Sequence, residues 1–178
     1  MLGRYENFPE NVHAIASFHH QVSAKDVQEA ILCAFYQLNH EICDLGSMMP
    51  YVTQKCEVGF EFGVAEGFDF NFLDQKEVNE YLKFIAESEL QALDFFVVIR
   101  YHIFKEDGKR VPLRFDYYVI RFIFKESELE MRIRHEKGTQ RVTPNDWTAF
   151  ITEKINGELS LRQLNPLLSG TFEKMGMI

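Results

Sequence analysis

The stretch from Leu93 to Glu136 constrains the fold of this chain more than any other part of the sequence. It contains three runs with the composition of long strands. Residues 95–99 are all apolar, and an apolar run without alternation is typical of a strand covered on both faces. Residues 129–136 instead alternate between apolar and mostly charged side chains, which predicts one face on the core and one face in water.

The connections within this stretch favour antiparallel pairing. Asp107-Gly108 is a hairpin signal, because glycine adopts a positive φ at no steric cost. Pro112 cannot donate a hydrogen bond to a ladder, so the chain near it is predicted to be irregular or at an edge. The apolar phase of the second run shifts near Tyr118, which indicates a β-bulge or burial of both faces.

Helical and strand patterns alternate along the rest of the chain. Ser23 and Asp74 are predicted helix caps, because each is followed three positions later by an acidic residue. A last helix is predicted to begin at Pro144 and to end at Asn156-Gly157. Further strands are predicted in residues 12–18, 56–65 and 68–72.

The order of these elements is β-α-β-β-α-β-β-β-α. It predicts an α+β fold with a mostly antiparallel sheet of about six strands and three helices, the helices mainly on one face. Residues 1–178 contain no linker or repeat, so we predict a single domain. Residues 158–178 are predicted to form a partly ordered C-terminal tail.

Composition narrows the class of protein. No apolar run approaches the roughly 20 residues that span a bilayer, and residues 1–7 lack the apolar stretch of a signal peptide. We therefore expect a cytoplasmic protein without membrane association. The 3 cysteines are unpatterned and fit reduced thiols. The 17 phenylalanines predict either an aromatic core or an apolar cavity for a small ligand, and the sequence does not separate these alternatives.

Charge is distributed unevenly. The formal net charge is −8, so we do not expect this protein to bind nucleic acid. Residues 100–141 are nevertheless locally basic, with 11 Lys and Arg against 7 Asp and Glu. Charge asymmetry of this kind steers association with a partner.

Four arginines in this basic region are candidate binding residues, because guanidinium groups hold carboxylates bidentately. A cluster of them would dock an acidic partner. The alternative is a solvated sheet face whose arginines pair internally with Glu130, Glu136 and Asp116. The four candidates are Arg114, Arg121, Arg132 and Arg134.

A second candidate site combines carboxylates with aromatic side chains. Glu57 and Glu61 share a strand face with Gly59 and Gly63, and the glycines would allow a ligand to approach closely. Two carboxylates with different pKa values could act as acid and base. Solvated glutamates are the alternative. The predicted pocket lining is Phe60, Phe96, Tyr117 and Tyr118.

Metal and cofactor chemistry is not expected. His40, Cys43 and Cys56 could be soft ligands, but the paired Cys-x-x-Cys of a zinc ribbon is absent. The pair His19-His20 is most typical of a solvated turn. The sequence contains no His-Glu-x-x-His, no Gly-x-Ser-x-Gly and no phosphate-binding glycine loop.

The order of helix, hairpin, helix, further antiparallel strands and final helix resembles the secretion-chaperone type of α+β fold. That resemblance implies a dimeric, non-enzymatic protein that binds other chains. It covers most of the chain, and the leading strand from Val12 departs from it.

Two functional hypotheses follow. The first is a non-enzymatic binding or interaction protein that docks an acidic partner, or self-associates as a homodimer, through residues 110–136. The second is a binder of a small apolar ligand, or an enzyme, with an aromatic pocket that includes Glu57 and Glu61.

Overall fold

A computed structural model describes residues 1–175 of the chain. These residues form nine strands and four helices in one antiparallel sheet with a helical layer. The strands are β1 (Ala14–His19), β2 (Ile42–Asp44), β3 (Cys56–Glu66), β4 (Asp69–Phe72), β5 (Ala92–Phe104), β6 (Arg110–Pro112), β7 (Asp116–Phe124), β8 (Glu128–Lys137) and β9 (Leu168–Lys174). The helices are α1 (Ala24–Leu38), α2 (Leu45–Met48), α3 (Gln75–Glu87) and α4 (Pro144–Leu161).

The sheet has the strand order β2-β3-β5-β7-β8-β1-β9, and β4 and β6 pair with β3 and β5. Each pairing between these strands is antiparallel. The α+β class with a mostly antiparallel sheet is therefore confirmed. The element counts exceed the prediction, because β2, β6, β9 and α2 are short or weakly patterned segments that only their neighbours in the fold define.

The predicted irregularities of the central strands are present. Gly108 has a φ of +82° in the turn after β5. The pairing of β7 with β8 shifts register between Tyr117 and Tyr118, but the extra residue is Glu136 of β8, and β7 itself pairs with β5 without a shift. The change of apolar phase in β7 therefore reflects burial of both faces, the second predicted explanation. Tyr118, Val119 and Ile120 are consecutive and all buried.

One side of the sheet carries the helices and the main core. Ser23 and Asp74 cap α1 and α3 as predicted, since each side chain accepts a hydrogen bond from the backbone N–H three residues later. Phe35 of α1 stacks on Phe62 of β3 with 4.1 Å between ring centroids, and Trp147 of α4 stacks near Phe60 at 5.6 Å. No helix within residues 1–175 combines the length and apolarity that a membrane crossing requires.

The last helix does not end at Asn156-Gly157, where the sequence predicted its end. Helix α4 continues through Gly157 to Leu161, because Ile155 and Leu159 lie on its buried side and packing outweighs the low helix propensity of glycine. The Asn156 side chain accepts a hydrogen bond from the backbone N–H of Leu167 at 2.8 Å, which fixes the returning chain. Strand β9 then pairs with β1 at the edge of the sheet.

The other side of the sheet, here called the open face, carries none of the four helices found within residues 1–175 and holds the alternate side chains of the strands. Most of them are half-buried, and Val119 is buried. The open face comprises Glu57, Glu61, Phe96, Val98, Arg100, Tyr117, Val119, Arg121, Arg132 and Arg134.

Candidate functional site

The N-terminal residues 1–11 form an irregular segment, in which residues 1–4 lie beside the end of β3 and helix α3 and residues 5–11 lie along the open face. Gly3 donates a backbone hydrogen bond to Ala65 at 2.9 Å and accepts one from Asp94 at 2.7 Å. The segment therefore fills the gap where β3 and β5 separate. At its far end, the carbonyl of Asn11 accepts a hydrogen bond from Arg134 Nη1 at 2.8 Å.

A buried ion pair anchors this segment. Arg121 of β7 binds Asp94 of β5 bidentately, with Nε to Oδ1 at 2.8 Å and Nη2 to Oδ2 at 2.7 Å. The same guanidinium donates to the carbonyl of Tyr5 and lies 4.4 Å from the centroid of the Phe8 ring. Asp94 Oδ2 also accepts from the backbone N–H of Tyr5 at 2.7 Å. Arg121 is thus a structural clamp, since its Nε and Nη2 groups donate to acceptors within the fold.

Between the N-terminal segment and the strands lies a groove of about 800 Å³. Its floor consists of apolar side chains from β4, β5 and β7, and its walls are polar. The groove is lined by Tyr5, Asn7, Pro9, Glu10, Asn11, Phe70, Phe96, Val119, Arg134 and Glu136.

Aromatic rings form a continuous row across this region. Ring centroids are separated by 4.7 Å from Tyr5 to Phe70, by 5.6 Å from Phe70 to Phe96 and by 5.9 Å from Phe96 to Tyr117. Gly63 of β3 permits the row, because a Cβ there would lie 3.2 Å from Phe70 Cβ and 3.3 Å from the carbonyl of Asn71. The missing side chain lets Phe70 reach the neighbouring strand.

Arg134 is the cation in the groove wall. Its Nη1 bonds the Asn11 carbonyl, while its Nε lies 3.5 Å from Glu136 Oε1, a loose ion pair without a hydrogen bond of good geometry. Within the described residues, this buried Nε–H has no acceptor. A carboxylate is the acceptor that suits a guanidinium best, and the side chains of Glu10 and Glu136 already line the same groove.

The other predicted arginines do not converge with Arg134 into a free basic surface. Arg121 is occupied by Asp94, and Arg132 is paired with Glu130 at 3.0 Å. Arg114 is exposed in the loop between β6 and β7. Three of the four arginines share the open face, but each of those three has a carboxylate neighbour.

The predicted aromatic pocket is divided between the two sides of the sheet. Phe60 and Tyr118 are buried in the helix-covered core, where the Tyr118 hydroxyl donates to the carbonyl of Val142 at 3.0 Å. Phe96 and Tyr117 lie on the open face. β7 pairs with β5 without a register shift, so the adjacent residues Tyr117 and Tyr118 point to opposite faces of the sheet.

Glu57 and Glu61 lie on the open face, as their strand pattern predicted. Glu57 pairs with Arg110 at 3.1 Å and Glu61 with Arg100 at 2.7 Å. Neither glutamate lines the groove. The arrangement places each carboxylate in an ion pair rather than opposite the other.

The structure contains a buried polar cluster that the sequence did not single out. The Asp116 carboxylate accepts hydrogen bonds from Tyr101 Oη at 2.6 Å and His135 Nε2 at 2.8 Å. It also accepts from the backbone N–H groups of Gln140 and Arg141. Burial alone would raise the pKa of Asp116, but these hydrogen bonds outweigh burial and hold the pKa below its usual value.

The cluster fixes the loop that follows β8. Gly138 has a φ of +115°, and a Cβ at this position would collide with the carbonyl of Phe115 and with Asp116. Asp116 therefore ties the loop to the sheet, a structural role that matches its complete hydrogen bonding. Asp116 and Gly138 are 22 positions apart in the chain, so no local pattern of the sequence connects them.

The three cysteines and the neighbouring histidine are separate features. Burial raises the pKa of each thiol, in Cys33, Cys43 and Cys56, which makes them weak nucleophiles. His40 Nδ1 lies 2.9 Å from the carbonyl of Tyr36. Across residues 1–175, no three His, Cys, Asp or Glu side chains are grouped closely enough to hold a metal ion.

Comparisons with known proteins identified no relative of this chain. No family model matches the sequence, and neither the curated proteins nor the solved structures include a significant match. The resemblance to secretion chaperones rests on element order alone and stays a prediction.

Proposed function

We propose that this chain is a non-enzymatic binding protein whose open-face groove receives an acidic segment of a partner protein. The segment would place an aromatic or aliphatic side chain on Phe96 and Val119 and a carboxylate on Arg134. The observation that supports this proposal is the Arg134 guanidinium at the wall of an aromatic groove, since its Nε–H has no hydrogen-bond acceptor of good geometry within residues 1–175. We further propose a cytoplasmic location, which suits three free thiols.

The extent of the aromatic surface supports a protein partner. The row of rings continues past the groove to Tyr117, and Phe72, which pairs with Gly63, is 52% exposed. Aromatic residues and arginine are the side chains most enriched in the centres of protein interfaces. An extended segment could contact the whole row, whereas a small molecule would cover only the groove.

A second candidate function is the binding of a small amphipathic carboxylate. The groove volume of about 800 Å³ favours it, since ligand pockets typically measure about 300–1,000 Å³. Such a ligand would use the same floor and the same arginine, without Tyr117 or Phe72.

The proposal is testable with fluorescence anisotropy and two synthetic peptide pools. One pool places Phe or Leu beside Asp and Glu, and the other replaces each acid with its amide. We expect the acidic pool to bind more tightly. Arg134→Gln should weaken binding by about 1.5–3 kcal/mol, the usual contribution of a hydrogen bond to a charged group.

Arg132→Gln is the matched control, because Arg132 lies two residues away on the same strand face but is held by Glu130. It should leave the affinity for the acidic pool nearly unchanged. Equal binding of both pools, or equal losses in the two variants, would contradict the proposal. Binding of a small aromatic carboxylate such as phenylacetate, without binding of peptides, would establish the second candidate instead.

A further inference from the structure

Strand β9 forms one edge of the sheet, and a single β-bulge interrupts its pairing with β1 between Ala16 and Phe18, outside the stretch from Phe172 to Lys174. All seven of its residues are exposed, including Leu168 at 48% and Phe172 at 39%. Within residues 1–175 it pairs only with β1. The opposite edge is formed by β2 and β4, which have 3 and 4 residues and are therefore protected by their shortness.

The backbone of β9 leaves specific groups available on its outer side. Met175 donates its N–H to the carbonyl of His13, and Thr171 donates its N–H to Ser17 Oγ, so both residues face β1. Alternate residues of an antiparallel strand direct their backbone groups to opposite neighbours. Phe172 and Lys174 therefore direct their N–H and C=O groups away from the sheet.

We propose that a second copy of this chain pairs with this edge, β9 against β9 in antiparallel orientation, about a two-fold axis at Phe172. Side chains directly opposite each other must share a face, which restricts the register. With the axis at Phe172, its ring lies opposite the partner's Phe172, and Thr171 lies opposite the partner's Glu173. An axis at Glu173 would oppose two carboxylates, so the Phe172 register is the favourable one.

The surface beside β9 suits this occupant. Phe172 is opposite Ala16 of β1 and so points to the helix side of the sheet, where α4 leaves a groove of about 460 Å³. Phe18 and Ala149 contribute apolar side chains to that groove. Pairing of the two Phe172 rings at its mouth would cover apolar surface and satisfy backbone groups in one contact, as strand addition does. The inference is independent of the open-face groove.

Sedimentation equilibrium of the full chain tests the association. We expect a mass twice the 20.9 kDa of one chain. Phe172→Pro removes an outward N–H and leaves the hydrogen bonds to β1 in place, and Phe172→Lys opposes two cations, so both variants should be monomeric. Phe84→Lys is the matched control, since Phe84 is equally exposed at 39% but lies on α3, and it should stay dimeric.

Oxidative cross-linking tests the register. Phe172→Cys should form a disulfide between two copies, because directly opposed residues have Cα atoms about 5.5 Å apart. Glu173→Cys lies on the other face and should not cross-link. A single-chain mass for the unmodified protein at every concentration up to its solubility limit would overturn the proposal. Dimers that persist in both Phe172→Pro and Phe172→Lys would also overturn the proposal, and so would equal cross-linking of Phe172→Cys and Glu173→Cys.

Discussion

Arg121 holds Asp94 through two parallel hydrogen bonds of 2.8 and 2.7 Å across the β5–β7 pair. The Asp94 side chain is fully buried and that of Arg121 is 14% exposed. Together they bind both backbone groups of Tyr5. The wall of the groove is therefore positioned by a pair of residues that lie outside the groove lining.

Removing one partner of this pair should destabilise the protein strongly. Asp94→Ala leaves a buried guanidinium uncompensated, so the free energy of unfolding should fall by about 3–5 kcal/mol in urea titrations. Arg132→Gln, which breaks a half-exposed pair, should cost less than about 1 kcal/mol. Limited proteolysis should cut residues 1–11 of the Asp94 variant first. Equal losses of unfolding free energy in the two variants would contradict a dominant role of the Arg121–Asp94 pair in stability.

Two glycines of β3 provide a matched test of the aromatic row. Gly63→Ala forces Phe70 or Asn71 to move by a few tenths of an ångström, whereas a Cβ at Gly59 meets no atom within 4 Å. We expect Gly63→Ala to lower stability by about 1 kcal/mol and to weaken acidic-peptide binding. Gly59→Ala should be neutral or slightly stabilising, because it reduces the entropy of the unfolded chain. A weaker binding by Gly59→Ala alone would refute this account of the row.

Asp116 should make the protein sensitive to strong acid. Its folded-state pKa lies below its ordinary value of 3.8, so its contribution to stability is complete above that pH and is lost as the pH falls through the folded-state pKa. Asp116→Asn turns an amide N–H₂ toward hydrogen-bond donors and should cost about 1–3 kcal/mol at neutral pH. Urea titrations over a pH series should show this difference shrinking below pH 3.8. A constant difference would exclude the linkage.

His13 should make the stability of the protein depend on pH in a higher range than Asp116 does. Burial lowers its pKa below 6.5, and the neighbouring Arg134 and His135 lower it further, while Glu136 opposes them. Its Nδ1 accepts the backbone N–H of His135 at 3.0 Å, which requires the neutral ring. Its contribution to stability is therefore complete above pH 6.5 and decreases as the pH falls toward the folded-state pKa.

The ring protons of His13 report this directly in an NMR titration. The midpoint should lie below 6.5 and should rise in Arg134→Gln, since that substitution removes a cation beside the ring. His13→Gln keeps an acceptor for His135 and should flatten the decline of stability below pH 6.5. A midpoint at or above the ordinary value would disprove the assignment.

Local pattern was informative where each residue's environment follows from its neighbours in the chain. The alternation in β8 and the apolar run in β5 predicted strands, and Ser23 and Asp74 predicted helix starts. The phase shift near Tyr118 corresponds to burial of both faces of β7, one of the two predicted explanations, and the bulge lies in β8 instead. The stop at Gly157 was wrong, because the burial of Leu159 outweighs local propensity.

The candidate site was only partly accessible from sequence. Phe96 and Arg134 were predicted for two different sites, and the structure brings them into one groove. Arg121 was predicted to bind a partner, yet its carboxylate comes from Asp94, 27 positions earlier in the chain. No periodicity reports such a pairing, because it depends on which strands become neighbours.

By itself, the sequence determined the class of fold, since side-chain alternation decides which face of a strand or helix avoids water. The tertiary structure decided the order of strands, the buried partner of Arg121 and the position of β9 at an edge of the sheet. These depend on contacts between residues far apart in the chain. Such contacts form only when the whole core is buried, so local patterns do not encode them.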